Sequence, residues 1–314
     1  MSDPSTHPLL AYAKPSNRVR IASKRRLNVH VTGSGTPPIL LLNGLGGTNL
    51  SWFRVQRALS AETTVVSFDH AGLGFSDPGP LPRSSQTITE DLRTALRHLG
   101  IAPPYIVVGQ SAGGLNAQYF AYAHPEEVAG LVFVDPSSAH QAKRLYEAGP
   151  RGRAMAREQQ TRLREMGRLG KAGKLTEDHR YGDAPLWQDN PRHPPELNAA
   201  VRAQRLGGAQ WKTQADELAS FDRRSSAAVV ALRKPLGNIP LVVLSAGRME
   251  LNMPGAAPDA LDQWRAMHGE IASHSTRGEV RVVDAGHNMH FEDAAKVIEP
   301  LREVLAAVRA RAAS

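Results

Sequence analysis

The chain has no cysteine among its 314 residues, few aromatic side chains and no long hydrophobic run. Without thiols it can form no disulfide and can use no thiolate nucleophile, and this composition fits a reducing compartment. No apolar stretch approaches the roughly 20 residues that cross a bilayer. The first 18 residues also lack the basic flank and apolar core of a signal peptide. We therefore predict a globular, cytoplasmic protein without stable membrane insertion.

The composition also argues against nucleic acids and nucleotides as ligands. Aromatic residues make up 5% of the chain, too few for the stacking surface that single-stranded nucleic acids require. The phosphate-binding pattern G-x-x-x-x-G-K-[ST] does not occur. The net charge of +8 lies in one segment, because residues 137–236 hold 19 Lys and Arg against 11 Asp and Glu. We interpret this segment as a separate module whose arginines lie on outward helix faces, in preference to a surface for anionic substrates or membranes.

Short apolar runs predict a buried parallel sheet. They are rich in Val, Ile and Leu and mostly lack alternation, as is typical of strands covered on both faces. The six runs are residues 39–42, 64–68, 105–108, 131–134, 241–244 and 280–283. Two earlier runs, 18–23 and 27–33, predict an antiparallel hairpin at the edge of this sheet.

Helical patterns lie between several of these runs and predict an α/β fold. Thr87 and Glu90 have capping-box spacing ahead of an amphipathic stretch that stops at Gly100. Another amphipathic stretch lies near the C-terminus, at 297–308. Such alternation indicates a mostly parallel sheet of about eight strands with helices on both faces.

The alternation stops after the sixth run, because residues 138–234 contain helical, Arg-rich stretches and no convincing strand. We therefore expect a helical cap at residues 137–235, inserted after the sixth strand. The α/β core would then consist of residues 1–136 and 236–314.

Polar residues follow several of the predicted strands. Ligands of open α/β sheets bind beyond the carboxyl ends of the strands, so the residues found there are candidates for chemistry. Ser111 follows the fifth strand within GQSAGG, Asp135 the sixth, Glu250 the seventh and His287 the eighth. A nucleophile, two acids and a base are thus expected at one edge.

These motifs resemble the α/β-hydrolase family. The stretch YIVVGQSAGGLNAQYFAYAHP supplies strand, G-x-S-x-G turn and helix in the family's order, and DHAGLGFS at 69–76 is similar to a family loop. The resemblance runs from about residue 18 to 310. It implies that Ser111 is the nucleophile on a sharp turn and that His287 is the base. Three other histidines occur late in the chain, but only His287 directly follows a strand and a glycine; the others are His268, His274 and His290.

The acid has two candidates. The commonest family position follows the seventh strand, where Glu250 stands, and a second position follows the sixth, where Asp135 stands. We favour Asp135 because it lies directly at a strand end and is locked by Pro136. Its alternative role is to cap the first turn of the insertion, which would leave Glu250 to orient the histidine.

The resemblance also implies an oxyanion hole and a substrate pocket. The backbone amides of Ala112 and Leu45 are the expected donors to the developing oxyanion. Three residues are expected to contact substrate: Gly44, Gln110 and Trp187. Trp211 and Met166 either line this pocket or form the core of the cap.

A serine nucleophile narrows the reaction. Family members that open epoxides or displace halide use an aspartate there, so Ser111 implies attack on a carbonyl and an acyl-enzyme. We expect small, largely apolar esters or lactones as substrates. C–C bond hydrolysis, amide cleavage, perhydrolysis and a non-catalytic ligand receptor remain alternatives.

No cofactor or metal is expected. A zinc site from His287, His290 and Glu292 is discounted, because no third strong ligand recurs with them at motif spacing. The sequence predicts no particular oligomeric state.

Overall fold

A computed structural model describes residues 7–146, 150–181, 184–248 and 259–313. Its centre is one sheet of eight strands: β1 (Asn17–Ala22), β2 (Arg25–Thr32), β3 (Ile39–Leu42), β4 (Val65–Phe68), β5 (Tyr105–Gln110), β6 (Val128–Val134), β7 (Leu241–Ala246) and β8 (Gly278–Val283). The strand order is β1-β2-β4-β3-β5-β6-β7-β8. β2 is antiparallel to both β1 and β4, and the other neighbouring pairs of this sheet are parallel. The predicted α/β fold and its edge hairpin are confirmed.

The helices of the described residues flank this sheet or lie between β6 and β7. They are α1 (Phe53–Leu59), α2 (Ser85–Leu99), α3 (Ala112–Ala123), α4 (Pro150–Lys171), α5 (Pro195–Leu206), α6 (Ala209–Ser220), α7 (Ser226–Leu232), α8 (Ala260–Ala272), α9 (Met289–Glu292) and α10 (Ala295–Ala313). Short 3₁₀ turns occur at Pro8–Tyr12, Asn49–Trp52 and Pro125–Glu127, and π turns at Ala142–Tyr146 and Phe221–Ser225. No helix of this part of the chain is long and apolar enough to cross a membrane.

Both faces of the central strands are buried, which explains why their sequences do not alternate. In β3, Leu40 and Leu42 pack into one apolar cluster with side chains of α2 and α3. Ile39 and Leu41 point the other way, into a cluster with side chains of α1 and α10. Because each face is covered, every position of such a strand favours an apolar residue.

The prediction that both faces are covered is wrong for β8. This strand lies at the edge of the sheet and pairs only with β7. Val282 is 63% exposed and Val280 is also exposed. The apolar run therefore marked this strand correctly but could not reveal that the face carrying Val280 and Val282 is open to solvent.

The predicted capping box of α2 is also wrong in its position. The N-cap is Ser84, and Thr87 is the third helical residue. Ser84 N donates to Thr87 Oγ1 at 2.9 Å, while Thr87 N donates to Ser84 Oγ at 3.5 Å. The threonine hydroxyl thus takes the part that Glu90 was expected to take. The helix ends as predicted at Gly100, which is left-handed with φ of 67°.

The segment between β6 and β7 contains α4 to α7 and a core of its own. Its buried apolar side chains are Leu163, Met166, Leu175, Leu186, Trp211 and Ala215. Trp211 and Met166 therefore form the core of this segment. One antiparallel pairing joins Arg180–Tyr181 to Ala184–Pro185, so the expectation of no strand here is wrong for these short strands. The division of the chain into a core and a cap at 137–235 stays a prediction.

Candidate active site

Ser111 stands on a sharp turn between β5 and α3. Its backbone has φ of 52° and ψ of −123°, a conformation that residues other than glycine rarely adopt. A side chain at Gly109 would place its Cβ 2.3 Å from the carbonyl oxygen of Gly113. The first glycine of G-x-S-x-G is therefore required by the close approach of strand and helix around the serine.

Sheet register brings Asp135 beside Ser111. Gln110 of β5 pairs with Val134 of β6, so the serine and the aspartate each come one residue after a paired position. Asp135 also has a positive φ, 43°, and its amide donates to Leu244 O of β7 at 2.7 Å. Within the described ranges, Ser111 and Asp135 are the only residues other than glycine with positive φ.

The two carboxylate oxygens of Asp135 have different partners. Oδ1 accepts hydrogen bonds from Ala246 N at 2.9 Å and from Trp264 Nε1 at 3.1 Å. Oδ2 lies 2.5 Å from His287 Nδ1. Burial alone would raise the pKa of Asp135, but the bond to His287, its charge and the Ala246 amide hold this pKa below its usual value. In the part of the chain that the structure describes, this carboxylate bonds His287, Ala246 and Trp264 and no residue of the insertion.

His287 lies in the loop after β8 and connects to the turn that carries Ser111. Because the Asp135 carboxylate accepts from Nδ1, the other ring nitrogen, Nε2, keeps a lone pair in the neutral ring. Gln110 Nε2 donates to His287 O at 3.3 Å, which joins this loop to the residue before Ser111. No hydrogen bond among the described residues links Ser111 Oγ to His287, so this contact stays a prediction. Such bonds are often long until substrate is bound.

The loop after β3, residues 43–47, lies against the turn that carries Ser111. A Cβ at Gly44 would lie 2.3 Å from Gln110 Oε1 and 3.2 Å from Ser111 Cβ, so the loop approaches the turn closely at this glycine. Within the described part of the chain, the amides of Leu45 and Ala112 have no hydrogen-bond partner. Two backbone donors are therefore available beside the serine.

Asn43 fixes the conformation of this loop. Its Nδ2 donates to Phe68 O at 2.8 Å, and its Oδ1 accepts from Ser51 Oγ at 2.8 Å. The side chain is buried and uses both of its polar atoms. The loop is thus tied to β4 and to the turn before α1.

Two residues expected to contact substrate have partners within the protein, and the alternative acid lies outside the described residues. Gln110 is buried and its amide is occupied by His287 O. Trp187 is half-buried, and its indole donates to Asp189 Oδ1 at 2.8 Å. Glu250, the alternative acid, lies outside the described residues.

The other late histidines are engaged elsewhere. His268 is buried and contacts Ser245 Oγ and Pro136 O, while His274 binds the hydroxyl of Tyr122. Burial, with a smaller contribution from the charge of His287, lowers the pKa of His290 to about 3. None of them bonds to Asp135, which leaves His287 as its histidine partner.

One possible metal-binding group exists among the described residues, and it lies away from this site. Ligand atoms of His124, Glu126 and Glu127 lie within 4.8 Å of one another. These residues precede β6, at the opposite end of that strand from Asp135. The set His287, His290 and Glu292 forms no such group.

Sequence reasoning missed Trp264 of α8. Its position on the buried face of a helix is equally typical of a core residue, and it belongs to a small cluster with Leu145, Ala260 and Met267. The direction of its indole N–H, toward Asp135, has no signal in the sequence.

Comparison with known proteins identifies the family of this fold. A family model described as alpha/beta hydrolase fold matches residues 37–294. The "Putative carbamate hydrolase RutD" of Klebsiella pneumoniae is 38% identical over 103 residues, which are 32% of this chain and 38% of that protein. The matches to the first three curated relatives cover only 18%, 35% and 38% of their lengths.

Solved structures show the same fold over almost the whole chain. One is described as a "putative epoxide hydrolase" mutant from Pseudomonas aeruginosa, with a TM-score of 0.67, 22% identity, and coverage of 92% of this chain and 94% of that one. Another is the enol-lactonase from Burkholderia xenovorans LB400, with a TM-score of 0.62, 20% identity, and coverage of 92% and 99%. The chain belongs to the α/β-hydrolase fold family.

Proposed function

We propose that this chain is a serine hydrolase that cleaves carboxylic esters or lactones of small molecules through an acyl-enzyme. Ser111 is the nucleophile, His287 the base and Asp135 the acid. The observation that carries the proposal is the 2.5 Å contact between His287 Nδ1 and Asp135 Oδ2 at the edge where the strained serine turn stands. An imidazole bonded to a buried carboxylate, at the sheet edge that carries the serine, supplies the groups that acyl transfer needs once Ser111 Oγ meets His287 Nε2.

The reaction follows from the roles of these groups. His287 Nε2 takes the Ser111 hydroxyl proton as Oγ attacks the carbonyl carbon. The negative oxygen that forms is stabilised by the Leu45 and Ala112 amides, and losing one such donor typically costs about 10²–10³-fold in rate. The imidazolium then gives its proton to the departing alkoxide. Water, activated by the same imidazole, releases the acid.

Helix α6 of the proposed cap lies against two loops of the sheet edge, residues 43–47 after β3 and the loop after β4 that contains Gly72. A Cβ on Gly46 would lie 2.6 Å from Gln214 Nε2, and one on Gly72 would lie 2.1 Å from Thr213 Oγ1. Because α6 touches the loop that carries the Leu45 amide, we infer that the cap shapes the pocket around the bound acyl group. This agrees with placing substrate selectivity in residues 137–235.

Esters and lactones are the favoured substrates because an alkoxide leaves more readily than an amide nitrogen. The carbamate named for the RutD relative suggests a second acyl class that the same groups attack. Amide cleavage, C–C bond hydrolysis and perhydrolysis are the other reactions to compare. A panel of p-nitrophenyl esters of increasing acyl length, lactones and carbamates would rank these three substrate classes by kcat/KM.

The test of the nucleophile compares the wild-type protein with Ser111→Ala on p-nitrophenyl esters. Turnover should fall by several orders of magnitude, as removal of such a serine cost about 10⁶-fold in subtilisin. Ser137→Ala is the matched control, since Ser137 is also buried and its amide donates to Ser111 O at 2.8 Å. Equal background rates from the wild type and Ser111→Ala would instead support a ligand receptor.

A further inference from the structure

We propose that Trp264 is a positioning residue, whose indole N–H holds Asp135 in the one orientation that presents Oδ2 to His287. The inference rests on the proposed function, because it assigns Asp135 the part of the acid. Trp264 itself touches no reacting atom in this account. It acts through the carboxylate.

The contact is buried and directional. Trp264 is 3% exposed and Asp135 is fully buried, so water does not compete for the bond from Nε1 to Oδ1 at 3.1 Å. An indole has one polar hydrogen and no acceptor, so the bond fixes which atom of the carboxylate faces the helix. A buried carboxylate bonded to N–H donors is strongly stabilised in its charged form.

Two donors on the same oxygen define the plane of the carboxylate. Ala246 N comes from the end of β7 and Trp264 Nε1 from α8, so Oδ1 is held from two separate elements. Each donor restrains rotation of the carboxylate about its Cβ–Cγ bond. With both in place, Oδ2 is left for His287, which it contacts at 2.5 Å.

Helix α8 holds the backbone of the next residue as well. His268 lies one turn after Trp264, and its Nε2 contacts Pro136 O at 3.0 Å. A carbonyl only accepts, so Nε2 carries the proton and Nδ1 accepts from Ser245 Oγ, 2.9 Å away. Burial lowers the pKa of His268, which keeps this ring neutral. One helix thus supports both Asp135, which has positive φ, and the proline that follows it.

The ring of Trp264 also packs edge-on against His287, with centroids 6.5 Å apart. Removing the whole side chain would therefore move the histidine and confuse packing with hydrogen bonding. The test has to remove the N–H and keep the aromatic volume.

The first experiment compares Trp264→Phe with Trp211→Phe. Trp211 is a matched control because it is equally buried and donates its indole N–H at 2.6 Å to Arg205 O, in the core of another segment. In Trp264→Phe we expect kcat to fall about tenfold with KM nearly unchanged, since hydrogen bonds to charged groups contribute at about this level. The Asp135 charge would be less neutralised, so the acidic limb of the kcat/KM profile should move to higher pH.

A second measurement does not depend on turnover. The proton shared by His287 Nδ1 and Asp135 should give a far-downfield ¹H resonance, which we expect to shift or broaden in Trp264→Phe and to stay unchanged in Trp211→Phe. Should Trp264→Phe fail to fold, benzothienylalanine placed at position 264 replaces the N–H by sulfur and keeps the ring shape. An unchanged pH profile and an unchanged resonance, with only a lowered Tm in both variants, would overturn the proposal. If the wild type hydrolyses no ester, the proposed function fails, while the resonance still tests Trp264.

Discussion

Asp135→Asn should inactivate the proposed enzyme by reversing the tautomer of His287. Oδ1 of the native carboxylate accepts from Ala246 N and Trp264 Nε1, both of which are donors. The oxygen of the new amide must therefore occupy that position, because its NH₂ group there would face two N–H groups. The NH₂ group is then turned toward His287 Nδ1.

The size of the effect follows from this exchange. With a donor facing it, Nδ1 has to accept, so the single proton of the neutral ring moves to Nε2. Nε2 then has no lone pair for the Ser111 hydroxyl proton. The equivalent change in a serine protease lowered kcat about 10⁴-fold. We expect a loss of kcat of that order with a small change in KM, since no atom of Asp135 lies in the proposed binding surface.

The assay is p-nitrophenyl ester hydrolysis across pH, together with Tm to confirm folding. Asp284→Asn is the matched control, because Asp284 lies three residues before His287 but is exposed and pairs with Arg248 at 3.1 Å. Glu250→Gln is measured beside it as the alternative acid. A loss below tenfold in Asp135→Asn, or a larger loss in Glu250→Gln, would refute the reasoning and reassign the acid.

Three further changes test the surroundings of the site. Burial lowers the pKa of His290 to about 3, whereas an unfolded histidine titrates near 6.5, so between these values only the unfolded state binds the extra proton. Acidification from pH 7 to 5 should therefore lower the free energy of unfolding by about 2 kcal/mol. Urea titrations at both pH values should show that His290→Phe removes this loss. Glu217→Met leaves His70 Nδ1 without the carboxylate that lies 2.9 Å away in a buried contact, so urea unfolding should show a loss of about 1–3 kcal/mol, whereas Glu217→Gln keeps an acceptor and should lose less. Gly109→Ala drives a methyl group against backbone 2.3 Å away and should lower stability by about 1–3 kcal/mol, while Gly269→Ala, in α8 with open space around it, should raise Tm slightly; equal effects of the two would contradict the steric argument.

The sequence predicted the strands well where both faces of a strand are buried. The strand predicted at 105–108 is Tyr105–Gln110 in the structure, two residues longer. Ser111 follows it directly and lies on the expected turn. Such strands are specified residue by residue, since each side chain enters one of two apolar clusters. The order of polar residues after the strands then placed Asp135 and His287 at the same edge, because parallel strands carry their carboxyl ends to one side.

Contacts that depend on the direction of a side chain were beyond the sequence. The bond from the Gln110 amide to the His287 carbonyl was not foreseen, while the expected contact of Gln110 with substrate stays a prediction. The bond from Trp264 to Asp135 joins residues 129 positions apart, and no periodicity encodes it. The Thr87 hydroxyl was read as an N-cap because threonine serves equally well as the N-cap and, through its Oγ1, as the third residue of the box.

The arginine surplus illustrates the same limit. Arg162 and Arg168 of α4 are largely exposed and pair with Glu158 and Glu165 on the same helix. This agrees with outward helix faces, which composition alone could only favour over a surface for anions. Exposed pairs of this kind contribute at most about 1 kcal/mol each, so they do not hold the segment together.

The proposed nucleophile, Ser111, and the proposed acid, Asp135, are placed by the sheet itself. Each has a positive φ, which costs of order 1–3 kcal/mol and persists only where the surroundings fix it. Ser111 N bonds Val134 O at 3.2 Å, Asp135 N bonds Leu244 O at 2.7 Å, and Ser137 N returns to Ser111 O at 2.8 Å. Three neighbouring strands thus hold both residues through backbone bonds, before any side chain is considered.

The proposed base, His287, is held in a different way. His287 lies in a loop, and its links to the site are its contact with Asp135 Oδ2, the bond from Gln110 to its carbonyl and ring packing on Trp264. Its side chain is 33% exposed, while that of Asp135 is fully buried. A group fixed by side chains adjusts more readily than one fixed by sheet register. In the proposed mechanism, the contact between Ser111 and His287 is therefore the one that substrate binding completes, and we expect the residues that limit the motion of His287 to set how often it is made.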